Sequence, residues 1–143
     1  MAKQYCTFHL ADLFFGVDVQ EVQEVIRYQE MTPVPLASAV IRGLINLRGQ
    51  IVTAIEMREQ LAFEPRDPEK LPMNVVLRTE DGAVSLLVDE IGDVLEIEES
   101  LYERAPETVR HLVGDLVPGV YKLDGQLMLV LDTKKTLEAV AAA

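Results

Sequence analysis

The sequence lacks residues from which many enzyme and metal sites are built. Its 143 residues include one cysteine and two histidines, and no glycine-rich phosphate loop precedes a helix. Cys6 cannot form an internal disulfide, and its position among alternating apolar residues predicts a buried, unreactive thiol. His9 and His111 lie too far apart in the sequence to share the short spacing of a metal-ligand pair. Because no catalytic constellation is complete, we expect a protein that is not an enzyme and needs neither a metal nor another cofactor.

Basic residues and long apolar runs are also scarce. There are 13 lysines and arginines against 24 aspartates and glutamates, a formal net charge of -11, and no basic cluster. Such a chain would repel phosphate backbones, so we do not expect a nucleic-acid partner. No run approaches the roughly 18 apolar residues that span a membrane, and the first residues, MAKQY, lack the apolar segment of a signal peptide. We therefore expect a soluble, cytoplasmic protein without direct membrane insertion.

Short strands dominate what is present. Hydrophobic residues make up 49% of the chain, as in a globular protein, and most segments alternate or form brief apolar runs bounded by turn residues. Helical periodicity is brief: Asp132 is a predicted N-cap of a C-terminal helix, and a shorter helix is predicted from Met57. Three hairpins are predicted, pairing residues 5–10 with 14–19, 75–79 with 83–89, and 118–123 with 126–132.

The chain contains an internal repeat. Residues 40–61 overlay residues 116–137 without a gap, and residues 15–28 similarly overlay residues 84–97. The polar, proline-bounded segment 66–72 separates the two copies. About five short strands per copy predict a mainly all-β fold of two similar five-stranded antiparallel barrels with short helices and a C-terminal helix. We expect one domain, 1–143, with barrels over approximately 14–66 and 72–137; the first strand, 5–10, is left open between its own half and the second barrel.

The repeat isolates Arg48 as an unusual turn residue. In INLRGQIV, Arg48 stands where the second copy has Asp124, and Asp-Gly is the better hairpin turn. Its guanidinium could be solvated, pair with a nearby carboxylate such as Glu24, or bind a carboxylate of another protein. The sequence leaves these alternatives open.

The segment GLINLRGQIVTAIEMR, preceded by VQEVI and TPVP and followed by LLVDEIGDVLEI, resembles the CheW family of chemotaxis coupling proteins. The resemblance covers residues 8–137. It implies two five-stranded SH3-like barrels in a non-enzymatic adaptor, recruited to membrane-bound receptor arrays. The implied partners are the cytoplasmic tips of chemoreceptors, the regulatory domain of the histidine kinase CheA, and other CheW copies. Alternatives are an adaptor of a pilus or surface-motility pathway, or a general SH3-like protein-binding module.

The resemblance also implies functional residues, although core packing is the alternative for each apolar one. Where family members frequently have aspartate and glycine, this chain has Glu56, a poorer N-cap, and Ser85, which puts close backbone approach in doubt. The implied receptor-binding residues are Val22, Gln23, Glu24, Arg48 and Val88, and the implied kinase-binding or ring-contact residues are Gly43 and Val94.

Overall fold

The computed structural model describes residues 1–141, so residues 142 and 143 of the predicted domain lie outside the described part. Its strands are β1 (Ala2–Leu10), β2 (Leu13–Asp18), β3 (Val22–Ile26), β4 (Ile41–Leu47), β5 (Gln50–Glu56), β6 (Met73–Thr79), β7 (Gly82–Val88), β8 (Glu90–Glu98), β9 (Glu103–Arg104), β10 (Gly119–Leu123) and β11 (Gln126–Val130). Its α-helices are α1 (Met57–Gln60), α2 (Glu107–Val113) and α3 (Thr133–Ala141). None of the described helices has both the length and the apolar character needed to cross a membrane.

The strands form two sheets, which confirms the mainly all-β fold class. The six-stranded sheet has the order β8-β1-β2-β11-β10-β9, and the five-stranded sheet has the order β3-β6-β7-β5-β4. All three predicted hairpins are present, with two-residue turns closed by the pairs Leu10–Leu13, Thr79–Gly82 and Leu123–Gln126. The C-terminal helix is also confirmed, because the Asp132 carboxylate accepts a hydrogen bond from the Lys135 backbone N–H at 2.9 Å.

The sheets exchange strands between the two halves of the sequence, which corrects the barrel bounds 14–66 and 72–137. β1 and β2 lie in the sheet of β8, β10 and β11, whereas β6 and β7 lie in the sheet of β3, β4 and β5. Each exchange rests on a parallel pair: β2 with β11 and β5 with β7. Local alternation predicts a hairpin but does not encode which distant strand the hairpin joins, so the sequence did not reveal this pairing.

The repeat survives in the register of these parallel pairs. Thr53 stands opposite Val84 in the five-stranded sheet, and the repeat-equivalent residues Leu129 and Phe15 stand opposite each other in the six-stranded sheet. The two sheets therefore share one pattern. In each of them, a strand from one half of the sequence pairs in parallel with a strand from the other half.

A continuous core lies between the sheets and includes Cys6, whose burial raises the pKa of its thiol. Adjacent residues of one strand serve different cores because side chains alternate across a strand. Phe15 of β2 packs in the shared core, while Phe14 packs with Tyr5 and Tyr121 inside the six-stranded sheet. A corresponding cluster of buried residues from the five-stranded sheet includes Ile45 and Val52. Burial of each large apolar side chain in these clusters stabilises the folded state by about 1.5–3 kcal/mol relative to leaving it exposed.

An ionic network joins the sheets where the chain passes from β7 to β8. The Asp89 carboxylate accepts hydrogen bonds from Arg58 at 2.6 and 2.9 Å, from Arg66 at 2.8 Å, and from the Ala11 backbone N–H at 2.7 Å. Arg66 also donates to both oxygens of Glu56, at 2.5 and 3.2 Å. The network therefore ties the β1–β2 turn of one sheet to the end of β5 and to α1 of the other.

Two residues of this network have larger roles than the sequence suggested. Arg66 lies in the segment predicted as a polar connection, yet its side chain is only 7% exposed. Glu56 caps α1 through a 3.3 Å hydrogen bond from the Arg58 backbone N–H, and its carboxylate binds Arg66 as well. The longer side chain that makes Glu56 a poorer cap also carries its carboxylate to a second partner.

Replacing Arg66 with methionine should lower the free energy of unfolding by about 2 to 4 kcal/mol, because Glu56 and Asp89 would each lose a partner in a largely buried setting. Urea denaturation measures this change. Lys70→Met, at an exposed position of the same connection, is the matched control and should change stability by less than about 0.5 kcal/mol. Equal stability of both variants would show that the network does not hold the sheets together.

Asp89 should make the fold sensitive to acid. Burial alone would raise the pKa of Asp89, but hydrogen bonds from Arg58, Ala11 and Arg66 outweigh it and lower the pKa. A carboxyl whose pKa is lower in the folded state stabilises the fold above its unfolded pKa of about 3.9, and that stabilisation is lost as the pH falls through the folded pKa. In acid titrations followed by circular dichroism, Asp89→Asn should flatten the loss of stability below about pH 4. An unchanged slope in the variant would contradict this role.

Candidate partner-binding surface

The Arg48 turn has a strained backbone. Arg48 and Gly49 link β4 to β5 with φ values of 51° and 88°, so both central residues are left-handed, as a type I′ hairpin turn requires. Asn46 braces the turn, because its side-chain oxygen accepts a hydrogen bond from the Gly49 N–H at 2.9 Å. In the equivalent turn only Gly125 has positive φ, whereas Asp124 does not. Arg48 therefore holds a conformation that costs a non-glycine residue about 1 kcal/mol, more than the sequence indicated.

The side chain of Arg48 reaches back to the other edge of its own sheet. Its guanidinium donates to the carboxylate of Glu24 on β3, an ion pair that we call the Glu24–Arg48 clasp. Gln23 adds two long hydrogen bonds of 3.4 Å, one to Glu24 and one to Gln50 of β5. Because β3 and β4 stand at opposite ends of the sheet order, these contacts close the five-stranded sheet upon itself.

The clasp and the hydrogen bond from Gln23 to Glu24 bring three of the predicted site residues together at the surface: Gln23, Glu24 and Arg48. The hydrogen bond from Arg48 lowers the pKa of Glu24, so the carboxylate stays charged beside it. Arg48 nevertheless remains 71% exposed, while Glu24 is 23% exposed. Of the three alternatives for Arg48, the structure contains the ion pair with Glu24. The guanidinium is nevertheless still accessible to solvent.

The two predicted valines Val22 and Val88 belong to the shared core. Val88 has no exposed surface, which corrects its assignment as a receptor-binding residue, since its side chain cannot touch a partner. Val22 is also buried and lies directly before Gln23 and Glu24 on β3. A bulge between Val22 and Glu24 breaks the alternation of β3, so Val22 points into the core while Glu24 reaches the surface.

Gly43 and Val94 occupy different environments. Gly43 is buried, and a Cβ there would lie 2.7 Å from the carbonyl oxygen of Thr32, whose backbone pairs with Leu44. This close approach explains the glycine without any partner. Val94 lies on β8 in the other sheet and is 55% exposed, so its side chain is open to contact.

Sequence reasoning missed two exposed apolar residues that adjoin the clasp in the sequence and the residue that braces its turn. Ile51 and Val25 directly follow Gln50 and Glu24 in the sequence and are both exposed apolar residues. Asn46 could have been recognised, since asparagine often braces a turn through its side chain. Its position three residues before Gly49 was the available signal.

Ser85 does not disturb the neighbouring strand. Its hydroxyl donates to the side-chain oxygen of Asn74 at 2.7 Å, and the Asn74 amide donates to the backbone carbonyl of Arg27 at 3.0 Å. The buried polar pair is therefore satisfied. Ser85 also pairs in regular register with Ala54 of β5 and Val76 of β6, so the serine does not prevent close backbone approach.

The surface presents exposed charged and apolar side chains. In residues 1–141, no group of three or more histidine, cysteine, aspartate or glutamate side chains could hold a metal ion. The clasp presents one exposed guanidinium on a short, closed hairpin, flanked in sequence by apolar side chains. Such an arrangement is typical of a protein-binding site, in which arginine and apolar residues supply most of the affinity.

Gly43→Ala should lower the free energy of unfolding by about 1 to 3 kcal/mol, because the new methyl group would overlap the Thr32 carbonyl. Hydrogen exchange should show loss of protection at the Thr32–Leu44 bridge. Gly49→Ala is the matched control: its Cβ would meet nothing within 4 Å, so only the positive φ costs stability, about 1 kcal/mol, and the bridge should stay protected. Retained protection in Gly43→Ala would contradict a packing role for this glycine.

Comparison with known proteins agrees with the fold. The model of the CheW-like domain family matches residues 4–141. Chemotaxis protein CheW of Thermotoga maritima is 31% identical over 134 residues, covering 94% of this chain and 87% of the relative, and that of Treponema pallidum is 27% identical over 137 residues, covering 92% and 80%. The crystal structure of the scaffolding protein TtCheW from Thermoanaerobacter tengcongensis is similar with a TM-score of 0.83 at 27% identity, covering 92% of this chain and 90% of that one. The chain therefore belongs to the CheW-like domain family.

Proposed function

We propose that this protein is a non-enzymatic chemotaxis adaptor that couples chemoreceptors to the histidine kinase CheA. The observation that carries the proposal is the Glu24–Arg48 clasp, which keeps an exposed guanidinium on a strained turn. A glycine or asparagine would suit that turn better, so stability alone does not explain the arginine. Relatives named for chemotaxis, one of them described as a scaffolding protein, support the same function.

The proposed receptor-binding surface consists of Gln23, Glu24 and Arg48. Arg48 would contact a receptor carboxylate while Glu24 fixes the orientation of the guanidinium. Gln23 links Glu24 to Gln50 of β5. Val22 and Val88 act as positioning residues, because they pack beneath the surface rather than on it. The clasp thereby holds the guanidinium in one place before a partner arrives, which reduces the entropic cost of binding.

A second proposed surface, around Val94 on β8, faces the kinase or other copies of the family. Val94 is exposed on the six-stranded sheet, whereas the clasp closes the five-stranded sheet, so the two surfaces are built on different sheets. The core shared by the sheets fixes their relative positions. Weak contacts at each surface suffice if the assembly is multivalent, as in a membrane-bound receptor array.

Arg48→Glu should weaken co-sedimentation with a receptor cytoplasmic fragment by at least about tenfold, as expected for loss of a central arginine contact. The free energy of unfolding should change by about 1 kcal/mol or less, because the Arg48 side chain is largely exposed. Lys122→Glu makes the same charge change on an exposed lysine of the equivalent hairpin and should leave receptor binding intact. A collapsed thermal melt with unchanged binding per folded molecule would show that Arg48 is purely structural.

Two further variants separate partner contact from sheet closure. Arg48→Gly relieves the left-handed strain, so it should melt at or above the wild-type temperature and still bind receptor poorly. The double variant Glu24→Arg/Arg48→Glu rebuilds an ion pair with the charges exchanged and should not regain receptor binding. Full recovery in the double variant would mean that only sheet closure matters and that Arg48 does not contact the receptor.

A further inference from the structure

The clasp has no counterpart in the six-stranded sheet. The repeat places Asp93 of β8 where the first copy has Glu24, and Asp124 where it has Arg48. Two carboxylates therefore stand at the positions that an ion pair fills in the other sheet. Like charges cannot close this edge, so β8 lacks the side-chain bridge that covers β3.

β8 is an edge strand with an uncovered outer side. It ends the six-stranded sheet, and no other strand within residues 1–141 pairs with its free edge. A bulge at Gly92 and Asp93 stands opposite Thr7, whose hydroxyl donates to the Asp93 carbonyl at 2.5 Å. Beyond the bulge, Val94–Glu98 forms a regular ladder with residues 2–6 of β1.

The exposed face of this segment has a defined pattern. Val94, Glu96 and Glu98 are exposed and alternate with the more buried Leu95 and Ile97. The segment 89–103 contains no lysine or arginine. Glu98 has one ion pair, with the N-terminal ammonium group at 3.4 Å, and both groups are well exposed.

This pattern selects its partner by charge. A second copy of β8 would bring glutamates against glutamates, and acidic side chains with a bulge are devices that keep strand edges from pairing with themselves. A strand with lysine or arginine opposite Glu96 and Glu98 would instead gain two favourable cross-strand pairs.

We propose that the edge of β8 over Val94–Glu98 binds an extended, basic segment of a partner protein as an additional antiparallel strand. An apolar residue of that segment faces Val94, and lysine or arginine residues face Glu96 and Glu98. This proposal rests on the proposed function in one respect, since it gives the Val94 surface, assigned above to the kinase or to other copies, a mode of contact and a partner chemistry.

The probe is an acetylated peptide with the central sequence Lys-Thr-Lys-Thr-Val, which sets valine against Val94 and the lysines against the glutamates in antiparallel register. Titrated into isotope-labelled protein at low salt, it should shift and protect the backbone amides of β8 first. Because the Glu99 N–H donates to the Met1 carbonyl across the β1–β8 ladder, the backbone N–H and C=O groups of residues 94, 96 and 98 point to the free edge. The valine and lysine amides of the peptide therefore donate the strand hydrogen bonds, and a peptide of the same sequence and charge with those amides N-methylated should bind at least about tenfold more weakly.

Reversing the charges of Glu96 and Glu98 provides a second test of the proposal. Glu96→Lys/Glu98→Lys should lose at least about tenfold in affinity for the lysine peptide and gain affinity for its glutamate counterpart. Glu80→Lys/Asp81→Lys, at the exposed turn between β6 and β7, carries the same charge change and should bind like the wild type. Equal binding of the N-methylated peptide, or amide shifts spread over the acidic surface instead of β8, would overturn the proposal. Because the peptide assay contains neither receptor nor kinase, its failure is distinguishable from failure of the adaptor function.

Discussion

The parallel pairing of β2 with β11 and of β5 with β7 is the constraint on which the rest of the structure depends. Each pair brings a strand of one sequence half into the sheet of the other. Neither half can complete a sheet alone, so both must be present before either core is covered. The Asp89 network lies where the chain passes between sheets and fixes that junction with charge-assisted hydrogen bonds. The two sheets therefore behave as one folding unit rather than as two independent barrels.

This interlaced core suits a protein whose proposed work is to hold surfaces in fixed positions. The Glu24–Arg48 clasp closes one sheet, while β8 leaves the corresponding edge of the other sheet open. The charge at one position of the repeat is reversed, Arg48 against Asp124, while Glu24 and Asp93 keep the same sign, so the two sheets present different charges at the equivalent place. The proposed receptor contact, Arg48, thus lies at a position where the repeat is broken.

Much of this arrangement could be predicted from local sequence. Asp-Gly turns and alternating strands located the hairpins, and the gap-free overlay predicted two similar units of short strands. The parallel pairs between the halves were not predicted. The overlay also singled out Arg48, and Glu24 was among the partners predicted for it. Long-range choices could not be predicted in this way, because strand exchange is a property of the whole chain. Arg66 appeared to be a polar linker residue for the same reason: both of its carboxylate partners come from other parts of the sequence. The burial of Val88 likewise depends on the sheet that β7 joins.

The central claim is that this protein couples receptor to kinase by binding both. The most direct measurement is kinase autophosphorylation in a reconstituted mixture of a receptor cytoplasmic fragment and CheA, with and without this protein. We expect receptor fragments to control the kinase only when this protein is present, and we expect this protein to co-sediment with both partners. Receptor control that is equal in its absence, or a protein that co-sediments with neither partner, would contradict the account.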